Sequence, residues 1–116
     1  MNFSSNEEVR DIYTVIKIYE TDADPLYLIG NEKDTGLIVG TNDSLNVDDS
    51  FKKVVVGNTY LFVMKERKFR GETSGYRILN ENADEEEIWN VKKDGEMPSI
   101  YIAENVTGRY IQIITK

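Results

Sequence analysis

Between Ile12 and Glu20 the chain alternates with a period of two. Ile12, Thr14, Ile16 and Ile18 share one face; Tyr13, Val15, Lys17 and Tyr19 share the other. β-Branched and aromatic residues at this spacing predict a half-buried strand and commit the fold to a sheet. Thr21-Asp22-Ala23-Asp24-Pro25 ends it, because Pro25 has no amide to donate and aspartates favour turns.

The same reading continues along the chain. Leu26–Gly30 and Leu37–Thr41 are short apolar runs around Asn31–Gly36, which predicts a hairpin with a glycine-closed loop. Residues 42–50 are polar and read as a surface loop. Val54–Val56 and Thr59–Lys65 flank Gly57-Asn58, the mark of a bulge or sharp bend. Thr59–Lys65 is apolar on both faces and so is expected at the centre of a sheet. Tyr76–Leu79 is a short return strand. Asn82–Gly95 carries acids at its start, Lys92 and Lys93 near its end and a closing glycine, which predicts a helix of about three turns. Ser99–Ala103 and Arg109–Thr115 read as a closing hairpin. Ser5 and Glu8 have capping-box spacing, but residues 1–10 are expected to fray.

This order predicts one mainly β domain over residues 1–116, an OB-like small barrel with one short helix between its third and fourth strands. The alternative is an α+β fold, an antiparallel sheet packed on one helix. The segments Tyr27-Leu28-Ile29, Gly36–Val39, Lys53–Tyr60 and Ile100–Gly108 resemble small exported OB-like proteins of Bacteroidetes-type bacteria. The resemblance implies an OB-like fold and a signal or lipid-attachment sequence ahead of the domain. It carries over no activity and no functional residue.

Composition removes several classes of chemistry. The 116 residues include no histidine and no cysteine, so Ser-His-Asp and Cys-His nucleophile systems and zinc sites built on His or Cys cannot form. No cofactor and no metal are expected. The chain starts without a basic region or an apolar h-region, so no signal peptide is expected, and no apolar run is long enough to span a membrane. The compartment stays open, cytoplasmic as the chain stands or exported if a signal was removed. The net charge of −7 is uneven. It disfavours nucleic acid overall, yet residues 51–70 hold six bases and a single acid.

Two groups stand out as candidate binding residues. Lys65, Arg67, Lys68 and Arg70 surround Phe69, a pattern able to hold phosphates and stack a base; a solvated hairpin loop is the simpler reading. Tyr13 and Tyr19 share a strand face and, if exposed, make a rigid aromatic platform; cross-strand pairing inside a core is the simpler reading. Glu20, Asp22, Asp24, Asp48 and Asp49 lack an EF-hand pattern and read as turn carboxylates, not a calcium site. Paired-carboxylate catalysis has little room for a cleft in a chain this short. The expected function is therefore a non-catalytic domain that recognises a protein, peptide or glycan through an aromatic sheet face. The alternatives are an acidic inhibitor or immunity-type protein that neutralises a basic enzyme, and single-strand nucleic-acid binding through residues 65–70.

Overall fold

The computed structural model describes residues 8–21, 23–67 and 75–114. β1 (Glu8–Tyr19), β2 (Leu26–Gly30) and β3 (Thr35–Gly40) form an antiparallel meander. Asn31 shapes the β2–β3 loop, its Oδ1 accepting from the amides of Lys33 and Asp34 at 2.9 Å each. β5 (Thr59–Arg67) pairs antiparallel with β1 on one side and with β8 (Ser99–Ala103) on the other, and β8 runs parallel to β3. The ring closes in the order β1-β2-β3-β8-β5. The protein is mainly β and its body is an OB-like small barrel, whose closure removes the free edges of the main sheet.

Inside the barrel Tyr13, Val15, Tyr27, Ile29, Phe62 and Met64 belong to one buried cluster. Phe62 meets the rings of Tyr13 and Tyr60 edge-on, with centroids 6.3 and 6.1 Å away, the geometry that the ring quadrupoles favour. One end is plugged by a small sheet of β4 (Phe51–Lys53), β10 (Tyr110–Gln112) and β9 (Val106–Thr107), in the order β4-β10-β9. It brings Val54, Val106 and Ile111 onto the same cluster, and the Tyr27 hydroxyl reaches from the barrel to donate to the Gly108 carbonyl at 2.7 Å. Gly36 gives Tyr101 its space: a Cβ there would stand 2.6 Å from the ring. Gly36→Ala is therefore expected to cost about 1–3 kcal/mol by overpacking, read as a lower urea midpoint at unchanged slope.

A second apolar cluster lies on the outside of the barrel wall. The hairpin of β6 (Gly75–Leu79) and β7 (Glu85–Asn90), followed by the single helical turn α1 (Val91–Asp94), lays Tyr76, Ile78 and Ile88 over Tyr19, Leu26, Leu37 and Ile100. A two-stranded hairpin alone is marginal in water, so this packing is what holds it.

Several expectations are corrected here. Residues 82–90 do not open a helix. Asn80 builds a turn, with Oδ1 accepting from the amides of Asn82 and Asp84 at 2.9 and 3.1 Å, and Ala83 has a positive φ of 63°. The acids then run along a strand, where Arg77 reaches Glu85 and Glu87 from β6. The helix N-cap is Asn90, accepting from the Lys92 amide, and only the closing position, Gly95, is as expected. Nor does the helix follow the third barrel strand: it lies between the fourth and fifth, β5 and β8. Ser99–Ala103 does not pair with the C-terminal strand; β10 pairs with β9 and β4. Tyr76–Leu79 returns onto β7 and not onto β5. Val54–Val56 lie outside any strand, ahead of a turn in which Gly57 has φ 93°. Glu8, Val9 and Arg10, expected to fray, pair with β5. Ser5 lies outside the described residues.

Candidate functional site

The β6–β7 hairpin does not seal fully against the barrel. Between them lies a cleft of about 400 Å³, lined by Thr21, Ala23 and Asp24 from the β1–β2 turn, Leu26 and Val39 from β2 and β3, and Tyr76, Ile78 and Leu79 from β6. In barrels of this form the outer face of the second and third strands, flanked by the first and last barrel connections, is where ligands are held. The cleft occupies that position, with the hairpin as its outer wall.

Each wall is fixed locally. The Thr21 hydroxyl donates to the Asp24 carbonyl at 2.7 Å and accepts from the Ala23 amide at 2.9 Å. The Thr41 hydroxyl donates to Asp24 Oδ2 at 3.1 Å, which restrains the carboxylate. An isolated bridge between Thr21 and Asn80 ties the turn to the hairpin tip. Burial pushes the Tyr76 hydroxyl up from its ordinary value, with the Arg67 charge opposing. Tyr19, under the hairpin, is raised by burial and then by the charges of Glu86 and Asp94. Both rings therefore stay neutral and packed at ordinary pH. Leu79 is 52% exposed at the mouth, and the exposed acids Glu81 and Asp84 stand in the adjoining turn.

The residues singled out from sequence fall elsewhere. Tyr13 is 2% exposed and Tyr19 8% exposed, so the two rings form no surface platform. A bulge explains why. The β1–β2 register shifts between Val15 and Lys17, which inverts the inward parity of the strand. Tyr13 therefore points into the barrel cluster, Ile18 packs against that same cluster, and Tyr19 turns out into the second cluster. Lys17 lies 4.7 Å over the Tyr19 ring. The outward positions fall to isoleucines, Ile12 being 48% exposed. Lys65 is exposed and reaches Glu104 at 3.6 Å, a surface pair worth little. Arg67 ends β5 and is exposed. Lys68, Phe69 and Arg70 lie outside the described residues. The structure thus does not bring Tyr13 and Tyr19 together with Lys65 and Arg67 as one surface.

Sequence reasoning missed Leu79, Ile78 and Val39, which read as ordinary strand apolars. The available signal was Asn80, whose turn sets the hairpin. Among the described residues no group of three or more acidic side chains is arranged to hold a metal, and no helix is long and apolar enough to cross a membrane. No family model, curated protein or solved structure matches this chain.

Proposed function

We propose that this protein is a non-catalytic binding domain that holds a short segment of another protein in the cleft under the β6–β7 hairpin. The observation that carries this reading is the open apolar cleft at the ligand-bearing position of an OB-like barrel, with Leu79 at its mouth. A chain without His or Cys lacks the commonest general base and the commonest thiol nucleophile, which supports recognition over catalysis. The lining is apolar along Leu26, Val39, Ile78 and Leu79 and carries one carboxylate, Asp24, with Glu81 and Asp84 beside it. That complements a segment with one apolar anchor and a basic neighbour, and the net charge of −7 favours the approach of such a partner.

The test is selection of a random displayed heptapeptide library on the full chain, followed by anisotropy titration of the enriched peptides. Enriched sequences are expected to pair a Leu, Ile or Phe with Lys or Arg. Leu79→Asp is expected to weaken them about tenfold or more, because an anchor loses its apolar contact, and Asp24→Asn to weaken them less and reduce the salt dependence. Leu79 is exposed, so its substitution spares the fold. Equal binding to Leu79→Asp would sink the reading, as would a library that yields no enrichment.

A further inference from the structure

The outer side of the β6–β7 ribbon carries a second hollow, of about 520 Å³, walled by Gly75, Arg77, Glu87, Trp89, Asn90 and Lys92. It shares no residue with the cleft. Gly75 lines it on the β6 side, where the strands approach so closely that a Cβ would stand 2.4 Å from the Trp89 carbonyl oxygen. Its one aromatic wall is Trp89, the only tryptophan in the chain. The indole N–H donates to the Gly95 carbonyl at 3.0 Å. That bond holds the ring in one orientation and uses its single polar group, which leaves the π face as its means of recognition.

The polar walls hold one another in place. Asn90 Nδ2 donates to Glu87 Oε2 at 3.2 Å, and Asn90 Oδ1 accepts from the Lys92 amide at 3.0 Å. Arg77 lies opposite Glu87 in the ribbon; its Nη2 donates to Glu87 Oε2 at 3.5 Å and its Nη1 to Glu85. A guanidinium has five N–H groups and a carboxylate about four acceptor directions, so both keep capacity toward the hollow. The wall holds two cations, Arg77 and Lys92, and one carboxylate, Glu87, and Arg77 is engaged by Glu87 and by Glu85 beyond the wall, so the charges are mixed and mutually paired more than a single-sign field. A flat ring beside pre-set donors and acceptors of both signs is complementary to a sugar ring. The C–H face of a pyranose lies against the negative face of the indole, and its hydroxyls, each both donor and acceptor, match the Arg-Glu-Asn edge. We infer that this hollow binds one ring of a neutral saccharide.

Because Trp89 is the lone tryptophan, emission excited beyond the tyrosine absorption band reports on the ring that walls this hollow. The probes are cellohexaose, laminarihexaose, maltohexaose and mannohexaose, titrated into the millimolar range. At least one is expected to give a saturable change in emission that persists at high salt. Glu87→Ala and Arg77→Ala, both on the exposed face of the ribbon, are each expected to weaken it about tenfold; Leu79→Asp, in the cleft, is expected to leave it unchanged. Trp89→Phe, read by retention on the immobilised sugar, is expected to weaken it further. Three results would overturn the inference: no response to any of these sugars; a response that salt abolishes and inorganic phosphate reproduces, which marks an anion site; or a response that Glu87→Ala and Arg77→Ala both leave intact, which places the sugar elsewhere.

Discussion

Asn105→Ala is expected to destabilise the protein by about 3–5 kcal/mol, a large share of the roughly 5–15 kcal/mol that holds a domain folded. Asn105 is 4% exposed and is the one buried polar side chain among the described residues. Its position explains its importance. β8 pairs with β5 only as far as Ala103 opposite Met64. Beyond that point the Glu104 amide still donates to the Val63 carbonyl at 2.7 Å, and then the backbone turns away. The side chain of Asn105 takes over the ladder. Its Oδ1 accepts from the Val63 amide at 2.9 Å, and its Nδ2 donates to the carbonyls of Leu61 at 2.9 Å and Gln112 at 3.2 Å. One amide thus joins a barrel strand to the plugging sheet, and alanine would take the partner from three backbone groups at a mostly buried site. Each such group costs about 1–3 kcal/mol. Asn105→Asp separates the two roles: it keeps the acceptor for Val63 and loses the donor to two carbonyls. It is expected to be as destabilised as the alanine variant at neutral pH. It should recover part of the loss as pH falls from neutral toward the ordinary carboxylate value, because the folded site disfavours the buried charge and takes up the proton, restoring a donor, before the unfolded chain does. A urea midpoint for Asn105→Ala within about 1 kcal/mol of the parent would mean that water replaces the amide and would end this account.

Asn105 also marks where sequence reading stops. Alternation within single strands was legible, so β1, β2, β3, β5 and β8 were all expected near their observed places. So were the turns that Gly57 and Pro25 punctuate. Those signals are local, because period-two patterning is written into consecutive residues. Parity across a bulge is not. Ile16 is no different in kind from Ile12, and only the pairing with β2 shows that one residue is left over between Val15 and Lys17. That single extra residue sent Tyr13 and Tyr19 into two different cores and removed the expected platform.

The hairpin is hidden in the sequence for a related reason. Four consecutive acids ahead of two lysines fit a helix dipole well. The competing term lies ten residues back in the chain, where Arg77 reaches Glu87 across the ribbon. A further term lies on the barrel surface, where Tyr19, Leu26, Leu37 and Ile100 need a cover that Ile88 and Ile78 supply. Tertiary burial of that kind outweighs a few tenths of a kcal/mol per charge at a helix end. The cleft is a product of the same packing. It exists because the ribbon covers the wall without closing on the β1–β2 turn, which no local pattern in either segment records.

Above pH about 10 the fold is expected to lose stability steeply, and the cause lies in two interior tyrosines. Burial is the main reason that the Tyr27 and Tyr13 hydroxyls are raised well above the ordinary tyrosine value. The negative charge of Asp24 adds to the rise at Tyr27, and the hydrogen bond with Tyr101, with Asp34 and Asp11 nearby, adds to it at Tyr13. In the unfolded chain tyrosines ionise near pH 10. Below that value both states keep these protons, so the two groups confer no pH dependence. Above it the unfolded chain releases them while the folded one holds them, and the equilibrium moves toward unfolding until the raised folded values are passed. Each tyrosine contributes about 1.4 kcal/mol per pH unit, and the pair about 2.7. Over two pH units this reaches about 5 kcal/mol, comparable with the whole stability of a small domain. Urea midpoints measured from neutral to strongly alkaline pH should be flat and then fall, with phenolate absorbance from the buried rings appearing only as the protein unfolds. Tyr27→Phe isolates one half of the effect. It removes the bond to Gly108 and is expected to cost about 1 kcal/mol at neutral pH, yet its alkaline slope should be shallower by about 1.4 kcal/mol per pH unit, so the two stability curves converge and then cross. A variant curve that runs parallel to the parent would show that Tyr27 ionises in the folded state, and the bond from barrel to plug would then not depend on a proton held by burial.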